Sequence, residues 1–145
     1  MFEDIITLVV FGTIKATHFS EFVNQITSQI NPTLQTLLLS LYYFCKATPL
    51  VYPNVCKLRL WFASLILSDA YLEDNSFTCK SWSAVSGFST KECASIKFSL
   101  LALLDYRLEV SGTKYESWID AITLVHRSIK YLPIPVISNS FVSCV

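Results

Sequence analysis

The stretch Leu60-Trp-Phe-Ala-Ser-Leu-Ile-Leu-Ser-Asp-Ala-Tyr-Leu-Glu-Asp74, continued by Asn75-Ser-Phe-Thr-Cys-Lys-Ser-Trp-Ser-Ala-Val-Ser-Gly87 and Phe88-Ser-Thr-Lys-Glu92 and running on to Leu103-Leu-Asp-Tyr-Arg-Leu108, decides the fold. Two strongly apolar helical patterns, both read as buried, flank a short polar connector that holds Trp82. From near Asn54 the first pattern predicts a helix through Leu58, Trp61, Phe62, Leu65, Ile66 and Asp69 to Leu72, with few polar positions before Asp69. Glu73-Asp74-Asn75 end it. A short helix from Thr78 to Val85, with Phe77, Trp82 and Val85 inward, stops at Gly87, the residue best able to take a left-handed C-terminal conformation. Ser89-Thr-Lys-Glu92 is a capping box, in which hydroxyl and carboxylate each satisfy an orphan amide. The helix it opens is expected to bury Cys93, Ile96, Leu100, Leu103 and Leu104.

Upstream, Phe2, Ile5, Ile6, Val9, Val10 and Ile14 recur at three- and four-residue steps and predict an N-terminal helix. Phe19, Phe22, Val23, Ile26 and Ile30, with Glu21, Asn24 and Gln25 between them, predict a half-buried one. Asn31 reads as an N-cap with Pro32 at the first helical position, opening a helix to about Lys46 that is apolar on most sides. Thr48-Pro49 and Tyr52-Pro53 then interrupt helical pairing. Downstream, Thr113-Lys-Tyr-Glu116 reads as another capping box, with Tyr115, Trp118, Ile119, Ile122 and Val125 inward. The last residues, with Pro133 and Pro135, read as extended. No repeat and no hairpin pattern competes, so the chain is predicted all-α.

The 145 residues suit one domain with one core. Apolar residues make up 52% and charged ones 15%, against a usual charged share of about 25%, which leaves apolar surface for a partner protein. Eleven basic and 11 acidic residues cancel, and no Lys/Arg cluster stands out, which disfavours nucleic-acid binding. Five widely spaced cysteines, Cys45, Cys56, Cys79, Cys93 and Cys144, fit thiols of an intracellular protein, nuclear or cytoplasmic, better than a disulfide frame. The apolar run 5–14 is too short for a membrane span of about 20 residues, and Glu3 and Asp4 replace the basic start of a signal peptide.

Equipment for catalysis is not visible. His18 and His126 have no metal ligand four residues away, so they read as surface or satisfied histidines and no metal or cofactor is expected. Ser86-Gly-Phe-Ser89 lacks the leading glycine of a nucleophile elbow, and three glycines build no phosphate loop. Glu73 and Asp74 read as a solvated helix end, and Trp61, Trp82 and Trp118 as core or interface.

The wording of residues 58–118 resembles the cyclin box, most closely that of fungal cyclins of the PCL type. The family's third helix ends Leu-Ala-Ser-Lys-Tyr-Leu-Asp-Asp, matched by Leu67-Ser-Asp-Ala-Tyr-Leu-Glu-Asp74. Its next word, Tyr-Thr-Asn-x-x-Trp-Ser-x-Val-Ser-Gly-Leu-Ser-x-Lys-Glu, is matched by Phe77-Thr-Cys-Lys-Ser-Trp-Ser-Ala-Val-Ser-Gly-Phe-Ser-Thr-Lys-Glu92. Phe-Leu-x-x-Leu-Asp-Tyr-x-Leu-x-Val resembles Leu100-Leu-Ala-Leu-Leu-Asp-Tyr-Arg-Leu-Glu-Val110, and Tyr115 with Trp118 matches Tyr-x-x-Trp. Leu37 to Lys46 resembles the second helix.

The resemblance implies an N-terminal flanking helix over 1–17, a five-helix cyclin box over 18–122, and a C-terminal helix end and extended tail over 123–145. It also implies a regulatory subunit, not an enzyme, that binds and activates the catalytic subunit of a cyclin-dependent kinase. The kinase would dock on the third and fifth helices through Ala70, Tyr71, Leu72, Lys97, Phe98, Leu101 and Leu108. Cyclins usually carry a lysine and a glutamate where Ala70 and Lys97 stand, and both contact the kinase. Losing both, one of them by charge reversal, costs on the order of a few kcal/mol if the kinase groups they meet are buried and left unpaired. A cyclin-fold adaptor that binds a kinase or another protein without activating it is the alternative, and a small-molecule enzyme or carrier is a third class. Phe98, off the Ile96-Leu100-Leu104 stripe, is expected to be partly exposed if that side is a docking face.

Overall fold

The computed structural model describes residues 6, 7, 9, 10, 17–51 and 56–131. Six helices fall within them: α1 (Thr17–Ile30), α2 (Leu34–Val51), α3 (Lys57–Leu72), α4 (Cys79–Ser86), α5 (Thr90–Leu103) and α6 (Gly112–Tyr131). No strand occurs among the described residues, and the all-α expectation holds. Residues 6, 7, 9 and 10 are also helical, with Ile6, Val9 and Val10 in the core. The expectations for Tyr52-Pro53, for Asn54 and for the tail with Pro133 and Pro135 lie outside the described residues.

Helix α3 is the axis of the domain, since every residue from Trp61 to Asp69 is buried. Helix α2 covers one side of it in the most extensive contact of the fold, and α5 packs on another side. Helices this apolar still carry hydroxyls, and three of the buried ones find an acceptor within their own helix. Ser64 Oγ donates to Leu60 O at 2.8 Å, Ser68 Oγ to Ser64 O at 2.7 Å, and Thr48 Oγ1 to Phe44 O at 2.7 Å. Helix α4 closes the end by burying Trp82. Phe62 meets that indole edge-on at 5.8 Å between centroids, stacks on Phe88 at 5.4 Å and takes Phe22 of α1 edge-on at 5.5 Å. Such pairs add about 0.5–1.5 kcal/mol each beyond their buried area.

Local signals were mostly where the sequence put them. Thr78 Oγ1 accepts from Ser81 N, Gly87 takes φ 83° at the end of α4, and both halves of the Ser89–Glu92 capping box form. Four expectations are corrected. Asn31 does not open α2; it sits at φ 51° and donates to Thr27 O, closing α1, while Thr33 Oγ1 accepts from Thr36 N and caps α2. Helix α2 runs past Lys46 to Val51 with Pro49 inside it, since a missing N–H so near a helix end gives up one bond. Helix α6 is capped by Ser111, whose Oγ accepts from Lys114 N, two positions before Thr113. Helix α5 is less buried than its pattern implied. Cys93, Leu100 and Leu104 are inside, but Ile96 and Leu103 are only half-buried, because this outer helix has one covered face.

Cysteine chemistry divides. Cys56, Cys79 and Cys93 are free thiols, whereas Cys45 is disulfide-bonded, so the all-thiol expectation does not hold for that residue.

Candidate docking face

Where α3 ends, a buried acid fixes the surface around it. Asp69 is buried, and its Oδ2 accepts from Phe77 N at 2.8 Å, tying the α3–α4 connector down onto the helix. Burial pushes its carboxyl above the usual range, the Phe77 hydrogen bond works against that, Glu73 raises it further, and the Lys97 ammonium lowers it. The charge of Lys97 on α5 therefore acts on the end of α3.

Beyond Asp69 the helix turns outward. Ala70 is exposed, Tyr71 is 48% exposed and Leu72 41%. On α5, Lys97 is half-buried with Nζ 5.6 Å from the Phe98 ring centroid, and Phe98 is 59% exposed. Leu101 is half-buried against the core. Its carbonyl accepts from Tyr106 N at 2.9 Å, while Asp105 N donates to Ala102 O at 3.0 Å. This Schellman closure is built with Asp105 at φ 56° and Tyr106 at φ 58°, where glycine is the usual residue. It delivers the half-buried Leu108 to α2, where Tyr43 Oη donates to Leu108 O at 2.6 Å. Burial and the neighbouring Tyr71 push the Tyr43 phenol above the usual tyrosine range.

The seven predicted positions lie at the end of α3 (Ala70, Tyr71, Leu72), on α5 (Lys97, Phe98, Leu101) and in the connector after α5 (Leu108). Phe77, expected inward, is instead 42% exposed. It lies just before the α4 cap and rests one edge on Trp82, with centroids 5.7 Å apart, leaving its other side open.

Sequence reasoning missed a cleft of about 210 Å³ beside Tyr71 and Leu72, completed by Gln35, Leu39, Val110 and Tyr115. Tyr115 Oη donates to Gln35 Oε1 at 2.6 Å across it. Tyr115 was legible only as a core position of a later helix, and nothing near Gln35 marks it. A second groove, of about 320 Å³, runs between α3 and α5 over Leu60, Ala63, Ile96, Leu100 and Leu103, with Arg59 at its edge in an ion pair to Glu92 of 3.2 Å. Among the described residues no group of three His, Cys, Asp or Glu is placed to hold a metal ion, and no helix is long and apolar enough to cross a membrane.

The geometry is that of packed helices with an apolar, partly charged rim, and two known proteins are similar in sequence. The G1/S-specific cyclin pas1 of Schizosaccharomyces pombe is 32% identical over 90 residues, which cover 57% of this chain and 22% of that protein. PHO85 cyclin-5 of Saccharomyces cerevisiae is 24% identical over 107 residues, 68% of this chain and 47% of that protein. The chain spans less than half the length of either relative. No family model and no solved structure matches it.

Proposed function

From the premise that this chain is cyclin-like and close to fungal cyclins of the PCL type, we propose that it is a regulatory subunit that binds and activates a cyclin-dependent kinase. Ala70, Tyr71, Leu72, Lys97, Phe98, Leu101 and Leu108 form the docking face. The observation that carries the reading is the exposure of three large apolar side chains, Tyr71 and Leu72 at the end of α3 and Phe98 on α5. Exposed apolar surface of this kind is stabilised by a partner. The chain contributes shape and no chemistry, and a kinase element packed on this face is held in its active arrangement.

Ala70 and Lys97, which stand where cyclins usually carry lysine and glutamate, favour a second reading, an adaptor that binds without activating. Co-purification with a kinase subunit followed by phosphotransfer with and without the chain separates the two. Higher phosphotransfer supports activation, binding with unchanged phosphotransfer supports the adaptor, and no binding rejects both.

A further inference from the structure

We propose that the groove between α2 and α6, walled by Tyr42 and Trp118 and bordered by Lys46 and Lys114, docks a short acidic segment of a partner protein in which carboxylates flank an apolar side chain. None of the seven positions of the face described above lines this groove, so the proposal does not rest on the kinase reading.

Each helix gives one stripe to the groove. Tyr42, Cys45 and Lys46 stand at i, i+3 and i+4 of α2, and Lys114, Ser117, Trp118 and Ala121 at i, i+3, i+4 and i+7 of α6, so the groove follows two helix faces. Its apolar wall is set before anything binds. Trp118 is buried, donates from Nε1 to Leu38 O at 3.2 Å and meets Tyr42 edge-on with centroids 5.8 Å apart. The volume of about 510 Å³ exceeds that of both clefts described above and suits a few side chains of a short segment.

Charge identifies the occupant. Over the whole chain 11 basic and 11 acidic residues cancel, yet two lysines and no Asp or Glu line the groove. Lys46 and Lys114 are exposed, and neither pairs with an acid among the described residues. The acids of α6 nearest in sequence, Glu116 and Asp120, fall at i+2 and i+6 from Lys114, off the stripe that faces the groove. Thr113 and Ser117 add hydroxyl donors on the α6 side. An apolar wall bordered by two unpaired ammonium groups is complementary to an apolar side chain flanked by Asp or Glu, and it disfavours basic segments.

The test titrates three peptides, Gly-Glu-Asp-X-Asp-Glu-Gly with X as Leu, Phe or Trp, into the isotope-labelled chain. At least one is expected to give shift changes centred on Lys46, Ser117, Ala121 and the Trp118 indole, with weaker binding at higher salt. Replacing X by Ala, or using a Lys46→Glu/Lys114→Glu chain, is expected to weaken binding by about fivefold or more, while a Lys46→Arg/Lys114→Arg chain retains it. Both substituted positions are exposed, so the variants keep the thermal unfolding midpoint. Equal binding of peptides with Lys in place of the acids, the same shifts from inorganic phosphate alone, shifts elsewhere on the chain, or no binding by any of the three overturns the assignment. The same shifts on raising the concentration of the chain without peptide would make a second copy the occupant and also overturn it. The titration contains no kinase, so its failure leaves the docking of a kinase along α3 and α5 standing, and failure of kinase docking leaves a positive titration standing.

Discussion

Two buried tryptophans with opposite hydrogen-bonding states give the sharpest test of the packing. Trp82 is fully buried, yet its Nε1 has no hydrogen-bond partner among the described residues. Trp118, 9% exposed, donates from Nε1 to Leu38 O at 3.2 Å. Trp82→Ala empties a site bounded by Phe62 and Phe77 and is expected to cost about 3–5 kcal/mol, a large part of a total stability of about 5–15 kcal/mol. Trp82→Phe removes an unsatisfied donor along with some volume, so the two effects oppose and the net cost stays within about 1.5 kcal/mol. Trp118→Phe removes similar volume and also the hydrogen bond to Leu38 O, which adds about 0.5–1.5 kcal/mol. Urea unfolding followed by far-ultraviolet circular dichroism on the three variants measures this order. If Trp82→Phe costs more than Trp118→Phe, the hydrogen-bond account of these two sites is wrong.

Other predictions follow the caps and the buried acid. Ser89→Ala loses the acceptor for Glu92 N and is expected to lower stability by about 1 kcal/mol in the same unfolding assay. Gly87→Ala places a Cβ in open space but at φ 83°, so its expected cost, about 1–2 kcal/mol, is conformational, and Gly87→Asn should recover part of it. Asp69 has a folded pKa above its unfolded value. Its contribution is therefore fully present below the ordinary carboxyl pKa and is lost as pH rises through the raised one. Asp69→Asn keeps an acceptor for Phe77 N and carries no charge, so its melting temperature relative to the natural chain is expected to rise between about pH 3 and about pH 7. A flat or falling difference across that range contradicts the assignment.

The sequence made the core plain where one signal had one meaning. The unbroken apolar run of α3, Gly87 after a short helix and the Ser89–Glu92 box each admit a single local structure, and the chain adopts it. It was ambiguous where a residue serves two ends equally well. Asn31 is as good at a left-handed helix exit as at an N-cap, and it takes the exit because Thr33 supplies the cap two residues later. Thr113 lost to Ser111 for the same kind of reason. Phe98 was legible as exposed because it lies off the stripe of its helix. The cleft at Tyr71 was not, because its walls come from α2, α3, the connector and α6, and no local pattern records which distant residues meet.

The central claim is tested most directly by Phe98→Asp in a binding titration against a cyclin-dependent kinase subunit, with the phosphotransfer rate read in the same samples. A chain that stays folded, yet loses both kinase binding and the rise in phosphotransfer, is the predicted result. Kinase binding unchanged by a charge at that exposed ring would contradict the docking face.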